Sequence, residues 1–176
     1  MIKIQDIWKS FRKKSVLKGV NLDIEEGKTC VILGGSGCGK SVLLKLIVGL
    51  LKPDRGNITV FGQDITRLSK IELMKMRQVF GVVFQEGALF DSLNVLENVG
   101  FFLFEHTNMP VPEIKMKVRD SLSLVGLSGI ENLYPSNLSS GMKKRVALAR
   151  AIIMKPRIIL YDEPTTGIDP PTAYGI

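Results

Sequence analysis

The stretch that decides the fold covers residues 29–48 and reads TCVILGGSGCGKSVLLKLIV. Its first part, 29–33, is a β-prone apolar run that predicts a buried strand of a parallel sheet. Residues 34–41 then match the pattern G-x-x-x-x-G-K-[ST]. The apolar run 42–48 is long enough for a helix, and Gly49 marks its end. A strand, a glycine-rich loop and a helix in this order predict a loop that cradles phosphate.

The residue types in this loop have specific chemical tasks. Glycines let successive backbone N–H groups converge on a phosphate, and the following helix adds its positive N-terminal end. Lys40 is expected to reach the β and γ phosphates, and Ser41 to supply a hydroxyl to Mg²⁺. The alternative is a glycine-rich turn that merely precedes a helix. The predicted nucleotide-binding residues are Gly34, Gly35, Ser36, Gly37, Cys38, Gly39, Lys40, Ser41 and Val42.

Length and composition indicate a globular protein. The chain has 176 residues, of which 45% are hydrophobic and 23% charged, which argues against disorder and fits one domain with an inserted subdomain. Its formal net charge of +7 permits an anionic partner such as a nucleotide, a nucleic acid or a membrane surface. An ordinary solvated basic surface explains the same charge, so composition alone does not choose among these partners.

Targeting signals and membrane-spanning runs are not evident in the sequence. The first residues, MIKIQDIWKS, contain no apolar segment of the kind found in a signal peptide. The longest apolar runs fall far short of the ~18 residues that a spanning helix needs. The 2 cysteines, Cys30 and Cys38, are too few for a disulfide framework and fit a reducing cytosol. We therefore expect any membrane role to depend on a partner.

Periodicity and turn signals outline the remaining elements. Further strands are predicted at 2–8, 20–24, 57–61, 79–84 and 157–161, and further helices at 69–77, 94–106, 113–126 and 141–154. Ser69 and Glu72 have the spacing of a capping box at the start of one helix. The alternation predicts an α/β fold with a largely parallel sheet, which a helical stretch over about 86–140 interrupts as an inserted subdomain.

Two carboxylates follow the last predicted strand. Residues 158–163 read IILYDE, so that Asp162 and Glu163 stand at its carboxyl end, where ligands bind in α/β folds. Asp162 there is expected to hold Mg²⁺, and Glu163 to orient and polarise an attacking water. Acidic residues after strands are common, so this motif is informative only together with the loop at 34–41.

Residues 138–151, LSSGMKKRVALARA, resemble the signature region of ABC ATPases. The signature residues would be Ser139, Ser140, Gly141 and Met142. In that family the segment faces the γ-phosphate held by the phosphate loop of another subunit, which implies a second ATP-binding subunit in a homodimer. Taken alone, the run also reads as an amphipathic helix with a serine N-cap.

The resemblance covers essentially the whole chain and implies roles for further residues. Gln85 stands where the family has a glutamine that contacts Mg²⁺ and the water, Phe11 where an aromatic ring stacks on adenine, and Asp169 in the D-loop at the dimer interface. It also implies a P-loop NTPase (RecA-like) core over 1–85 and 142–176, with an N-terminal antiparallel β subdomain. Residues 86–141 would form the helical insert.

Residues 87–99, 104–107 and 169–173, together with Met142, resemble the ATPases of Mla/Mce-type phospholipid transporters. This resemblance implies an ATP- and Mg²⁺-dependent ATPase that powers the movement of a lipid-like substrate. Its partners would be an integral-membrane permease and an Mce-type lipid-binding protein, at the cytoplasmic face of the inner membrane. The ATPase of another importer or exporter remains the alternative, because its core motifs would look the same.

The chain departs from the family pattern in three places. Ser140 replaces the usual glycine of the signature, and Met142 replaces a residue with a side-chain amide. The family's switch histidine lies beyond the D-loop, whereas this sequence ends at Ile176 and its sole histidine, His106, falls in the insert, where we expect a structural or exposed role. The last strands of the cassette are therefore expected to be absent. A second function hypothesis follows, in which this form binds nucleotide with little turnover.

A nucleic-acid-associated ABC protein, such as a repair or translation factor, is a third hypothesis that the positive charge suggests. The sequence has no zinc-binding cysteines, no second cassette and no long coiled-coil insert. We therefore expect no nucleic-acid partner. A small-molecule kinase with a phosphate loop would leave the signature run unexplained.

Overall fold

The computed structural model describes residues 2–12, 14–85 and 87–162. The chain divides into two compact units, Met1–Gln78 and Val79–Ile176. The sequence analysis instead assigns 1–85 and 142–176 to the nucleotide-binding core and 86–141 to the helical insert. This division does not coincide with the two units and stays a prediction.

The described strands of the first unit form one antiparallel sheet. Its strands are β1 (Ile2–Phe11), β2 (Lys14–Ile24), β3 (Arg55–Val60) and β4 (Gln63–Asp64), in the order β2-β1-β3-β4. Ile2, Ile4 and Ile7 of β1 are buried and alternate with exposed neighbours, as the sequence pattern predicts. β2 begins well before the predicted residue 20, because it pairs with β1 along a hairpin whose last pair joins Phe11 and Lys14.

Two α-helices and a short 3-10 helix, Ile65–Arg67, make up the described helical part of the first unit. Helix α1 spans Lys40–Ile47 and buries Leu43, Leu46 and Ile47, so Lys40 and Ser41 stand in its first turn. Helix α2 spans Lys70–Arg77 and begins with the predicted capping box of Ser69 and Glu72, which is confirmed. The Arg77 guanidinium donates to the carbonyls of Val48 and Gly49 at 3.1 and 2.8 Å, which fastens the end of α2 to the end of α1.

The prediction of a strand at 29–33 is wrong for the described chain, because these residues pair with no described strand. The side chains of Val31 and Leu33 are 73% and 88% exposed. A β-prone segment becomes a strand only when a neighbouring strand takes up its N–H and C=O groups. No such neighbour lies beside 29–33 among the described residues, and the segment leads into the phosphate loop without regular secondary structure.

The second unit combines a short parallel sheet with helices. Strands β5 (Phe80–Val83) and β6 (Ile158–Tyr161) pair in parallel, which confirms parallel pairing for the two strands. The helices are α3 (Val95–His106), α4 (Val111–Leu124) and α5 (Ser140–Ile152), close to their predicted positions. α4 begins before residue 113 because Pro112 occupies its first turn, where the missing N–H has no intrahelical partner to lose.

The three helices share one hydrophobic core. It contains Val95, Val99 and Leu103 of α3, side chains of α4, and Val146 and Ala149 of α5. The Ser121 hydroxyl of α4 donates to the Ala149 carbonyl of α5 at 2.7 Å. In the part of the chain that the structure describes, no helix combines the length and the apolar character needed to cross a membrane.

Candidate functional site

The phosphate-loop glycines adopt backbone conformations that other residues rarely enter. Gly37 has φ +75°, and Gly39, the N-cap of α1, has φ 108°. A Cβ on Gly39 would lie 2.8 Å from Leu17 Cδ2 and 2.9 Å from Val16 Cγ1, and one on Gly34 would lie 2.6 Å from Cys38 Sγ. The loop thus lies close against strand β2 at Gly39, where both the positive φ and the neighbouring side chains favour glycine.

Lys40 folds back over this loop. Its ammonium donates to the carbonyl oxygens of Gly34 and Gly35 at 2.9 and 3.2 Å. The Cys38 N–H donates to the Gly35 carbonyl, and the Leu43 N–H to that of Gly39, the first bond of helix α1. A cation, a curled run of backbone amides and a helix N-terminus therefore lie together, which is the chemistry of an anion site.

Phe11 lies at the end of the β1–β2 hairpin, the hairpin whose β2 strand contacts Gly39. Phe11 is 43% exposed, and the Lys9 ammonium lies 5.6 Å from the centroid of its ring. The exposed ring leaves room for a stacked base, as the family resemblance implies. Lys9, beside this ring, also belongs to an ion pair.

Sequence reasoning missed the partner in that ion pair, Asp54. Its carboxylate accepts from the Lys9 ammonium at 2.7 Å and from the Ser10 N–H at 2.6 Å. The Lys9 hydrogen bond, followed by the one from Ser10, lowers the pKa of the Asp54 carboxyl below its ordinary value. The loop residue Asp54 thereby fixes the end of β1 beside Phe11. No sequence signal marked this role, since the two residues are far apart in the chain.

Gln85 and Asp162 leave the same edge of the two-stranded sheet, because β5 and β6 are parallel. The Asp162 N–H donates to the Val83 carbonyl at 2.9 Å, and its side chain is buried. Gln85 is exposed, two residues after the end of β5. The structure therefore brings these two predicted Mg²⁺ ligands to one sheet edge.

The donor set at this edge fits Mg²⁺. Asp162 offers a carboxylate and Gln85 an amide oxygen, and Mg²⁺ prefers oxygen ligands. Among the described residues, no group of three or more His, Cys, Asp and Glu side chains converges. Mg²⁺ is usually bound in proteins through one or two carboxylates together with substrate phosphates.

The signature residues begin helix α5. Ser139 is the N-cap, and its Oγ accepts from the Met142 N–H at 3.2 Å. Ser139 and Ser140 are exposed, whereas Met142 packs its side chain against the helical core. The methionine that replaces an amide residue in the signature thus takes part in packing. Sequence comparison with the signature pattern gave no hint of that role.

Burial perturbs a basic residue one turn further along α5. Lys144 is buried, and desolvation lowers the pKa of its ammonium. His106, by contrast, lies at the exposed end of α3 with its ring 4.8 Å from that of Phe102, as expected for a structural or exposed residue.

Two predicted site residues lie outside the described residues. Glu163 directly follows Asp162, and Asp169 belongs to the D-loop segment. Their predicted roles stay predictions.

A comparison with protein-family models matches residues 17–166 to the family described as ABC transporter. The chain belongs to this family. The match runs from strand β2 through the phosphate loop, Gln85, the signature residues and Asp162.

Several curated relatives of this cassette have names that refer to transport or to lipids. It is 48% identical to a probable ribonucleotide transport ATP-binding protein, mkl, of Mycobacterium leprae, over 98% of this chain and 50% of that protein. It is 47% identical to the chloroplastic protein TRIGALACTOSYLDIACYLGLYCEROL 3 of Arabidopsis thaliana, over 97% of this chain and 51% of that protein. The intermembrane phospholipid transport system ATP-binding protein MlaF of Haemophilus influenzae is 44% identical, over 97% of this chain and 64% of that protein. The chain thus spans about half the length of the first two of these relatives.

Solved structures of ABC cassettes match closely. A dimeric post-hydrolysis state of the ATP-binding cassette MJ0796 bound to ADP and Pi has a TM-score of 0.92 at 35% identity, covering 100% of this chain and 79% of that one. The cbiO1 protein of Clostridium perfringens, part of the ABC transporter complex cbiONQ, has a TM-score of 0.86 at 34% identity. The match covers 98% of this chain and 69% of that one. These matches confirm the predicted fold class, a mixed α/β ABC cassette with an antiparallel N-terminal sheet.

Proposed function

We propose that this chain is the ATP-binding and ATP-hydrolysing part of an ABC transporter. The observation that carries the proposal is the phosphate loop, in which Lys40 covers a curled run of amides that ends at the N-terminus of α1. Tight curling at Gly34 and Gly39 supports a loop built around a polyphosphate. ADP and Pi bound to the related cassette MJ0796 support the same nucleotide class.

Each predicted residue has a task in this reaction. The phosphate-loop amides and Lys40 bind the β and γ phosphates, and the Phe11 ring stacks on adenine. Ser41, Gln85 and Asp162 hold Mg²⁺, which when bound neutralises charge on the phosphates. Glu163 accepts the proton of the attacking water. Ser139 and Ser140 at the start of α5 contact the nucleotide of a second subunit, an arrangement that the dimeric state of MJ0796 supports.

For the transported substrate we propose a phospholipid. The name of MlaF, an intermembrane phospholipid transport protein, supports this substrate class. The proposed partners are an integral-membrane permease and an Mce-type lipid-binding protein, with the cassette bound peripherally at the cytoplasmic face of the inner membrane. The name of mkl favours a second candidate, a ribonucleotide transporter.

ATP turnover by the full-length protein tests the proposed chemistry. We expect Glu163→Gln to lower kcat by about a hundredfold or more while ATP binding is retained, because general base catalysis contributes roughly 10²–10⁴-fold. Leu124→Gln, at an exposed position of α4, is the control and should turn over normally. Equal turnover by Glu163→Gln and the unmodified protein would show that Glu163 does not activate the water.

Transport by the cassette with its permease in vesicles separates the two substrate classes. We expect ATP to drive transfer of a fluorescent phospholipid and the Glu163→Gln form to abolish that transfer. ATP-driven uptake of a radiolabelled ribonucleotide, without lipid transfer, would contradict the phospholipid proposal and favour the second candidate.

A further inference from the structure

The side chain of Arg150, in the last turns of α5, holds two consecutive backbone carbonyls of the loop that follows Gln85. Its Nη1 donates to the Ala88 carbonyl at 2.8 Å, and its Nη2 to the Gly87 carbonyl at 2.6 Å. Burial lowers the pKa of this guanidinium, because the charged form loses water there. A planar guanidinium carries several N–H donors in a fixed geometry, so it can hold both carbonyls at once.

The two residues that Arg150 holds have unusual backbone conformations. Gly87 has φ 77° and Ala88 has φ 46°, both in the left-handed region. For alanine this region is unfavourable, because its Cβ approaches a carbonyl oxygen. A Cβ on Gly87 would lie 3.3 Å from Ala147 Cβ and 3.4 Å from the Lys143 carbonyl oxygen of α5. The loop is therefore strained at Ala88 and pressed against α5 at Gly87.

The same contact extends back to Gln85. The Gly87 N–H donates to the Phe84 carbonyl at 2.8 Å, which closes a turn that contains Gln85. Strand β5, which leads into the turn, also touches α5, since a Cβ on Gly81 would lie 2.6 Å from the Ala151 carbonyl oxygen. Helix α5 thus contacts the chain both before and after Gln85.

We propose that Arg150 is a positioning residue that fixes the Gln85 turn on helix α5 and thereby sets the Mg²⁺ requirement of ATP turnover. The proposal rests on the role of Gln85 given under the proposed function. Because α5 begins at the signature residues, it also links Gln85 rigidly to them, over about 15 Å of helix from Ser140 to Arg150. Arg150 itself acts only through the loop backbone.

The test compares Arg150→Lys and Arg150→Ala with the unmodified full-length protein. A lysine ends in a single ammonium instead of a planar guanidinium, so Arg150→Lys keeps only one of the two charge-assisted hydrogen bonds to Gly87 and Ala88. Arg150→Ala loses both. We expect the Mg²⁺ concentration for half-maximal turnover to rise about tenfold in Arg150→Lys and further in Arg150→Ala. Binding of a fluorescent ATP analogue without Mg²⁺ should remain unchanged.

Ser121→Ala is the matched control, because it also removes a buried hydrogen bond to the C-terminal half of α5 but leaves 87–88 untouched. It should lower stability without altering the Mg²⁺ requirement. Adding Ala88→Gly to Arg150→Lys should restore part of the Mg²⁺ response, since glycine enters the left-handed region freely. An unchanged Mg²⁺ requirement in Arg150→Lys, or an equal change in Ser121→Ala, would overturn the proposal.

Hydrogen exchange provides a readout that needs no catalysis. We expect the amides of 84–88 to exchange faster in Arg150→Lys than in the unmodified protein or in Ser121→Ala. If the unmodified protein fails to hydrolyse ATP, the proposed function fails, whereas the exchange result still reports on the loop. Unchanged exchange at 84–88 in Arg150→Lys would overturn the positioning role by itself.

Discussion

At the scale of single residues, Gly39 shows how the phosphate loop and the hairpin constrain each other. Gly39 is the N-cap of helix α1 and has φ 108°. Because it has no Cβ, the side chains of Val16 and Leu17 of β2 can lie close to its backbone. Gly35, four residues earlier, has no atom within 4 Å of an added Cβ. The motif pattern requires a glycine at position 39 and leaves position 35 free, and the structure gives the physical reason for this difference.

We predict that Gly39→Ala lowers the free energy of unfolding by about 2 kcal/mol or more, from backbone strain and from the contacts with β2. Gly35→Ala, the matched control, should change it by about 0.5 kcal/mol or less. Urea unfolding without nucleotide measures both. Similar losses in the two variants would show that the close approach at Gly39 does not determine the stability of the loop.

At the scale of elements, helix ends followed local rules. Two capping boxes occur in the described chain, at Ser69 with Glu72 and at Asn94 with Glu97. The first was predictable from spacing alone, since both partners lie within one turn of each other. In the second, the Asn94 side chain accepts from the Glu97 N–H in the same way. One turn further along α3, the buried side chain of Asn98 donates to the carbonyls of Phe90, Leu93 and Asn94. That network depends on the loop path before α3 and has no sequence signature.

The first capping box should give the stability of α2 a pH dependence. The Ser69 side-chain hydrogen bond is the largest cause of the lowered pKa of Glu72, followed by the Ser69 backbone bond. A depressed folded-state pKa stabilises the protein above the ordinary glutamate pKa of 4.5, and this contribution is lost as the pH falls through the folded-state value. We expect the stability advantage over Glu72→Gln, which keeps an acceptor oxygen but does not titrate, to shrink below pH 4.5. Urea unfolding across pH 3 to 7 measures it, and an advantage that is constant over this range would contradict the assignment.

At the scale of the whole molecule, the chain covers only part of its relatives, 50% of mkl and 64% of MlaF. The segment 29–33 is mostly apolar and mostly exposed, and it joins no ladder among the described residues. Its residue pattern predicts a buried strand, and the disagreement arises because no described strand lies beside it as a pairing neighbour. Local propensity cannot supply the hydrogen-bond partners that a strand needs.

We predict that the amides of 30–33 exchange rapidly with solvent in the 176-residue chain and slowly in a protein of the length of its relatives. The amides of β1, which are paired in the first unit, should be protected in both and serve as the control. Mass spectrometry of the exchanged peptides measures the difference. Slow exchange at 30–33 in the 176-residue chain would show that the segment already has a strand partner.

The sequence by itself determined the features that depend on neighbours along the chain. The loop at 34–41, the capping box at Ser69 and the helix positions all rest on residues within a few turns of one another, so spacing is enough to find them. The signature run at 138–151 indicated the protein family in the same way, because its residues are neighbours in the chain.

Only the tertiary structure decided which distant groups meet. Asp54 holds the end of β1 beside Phe11, and Arg150 holds the loop after Gln85, across separations of 44 and 63 residues. It also decided that 29–33 forms no strand in the described chain. Hydrogen bonds and strand ladders need partners that folding brings together from remote parts of the chain, and residue spacing does not encode where those partners lie.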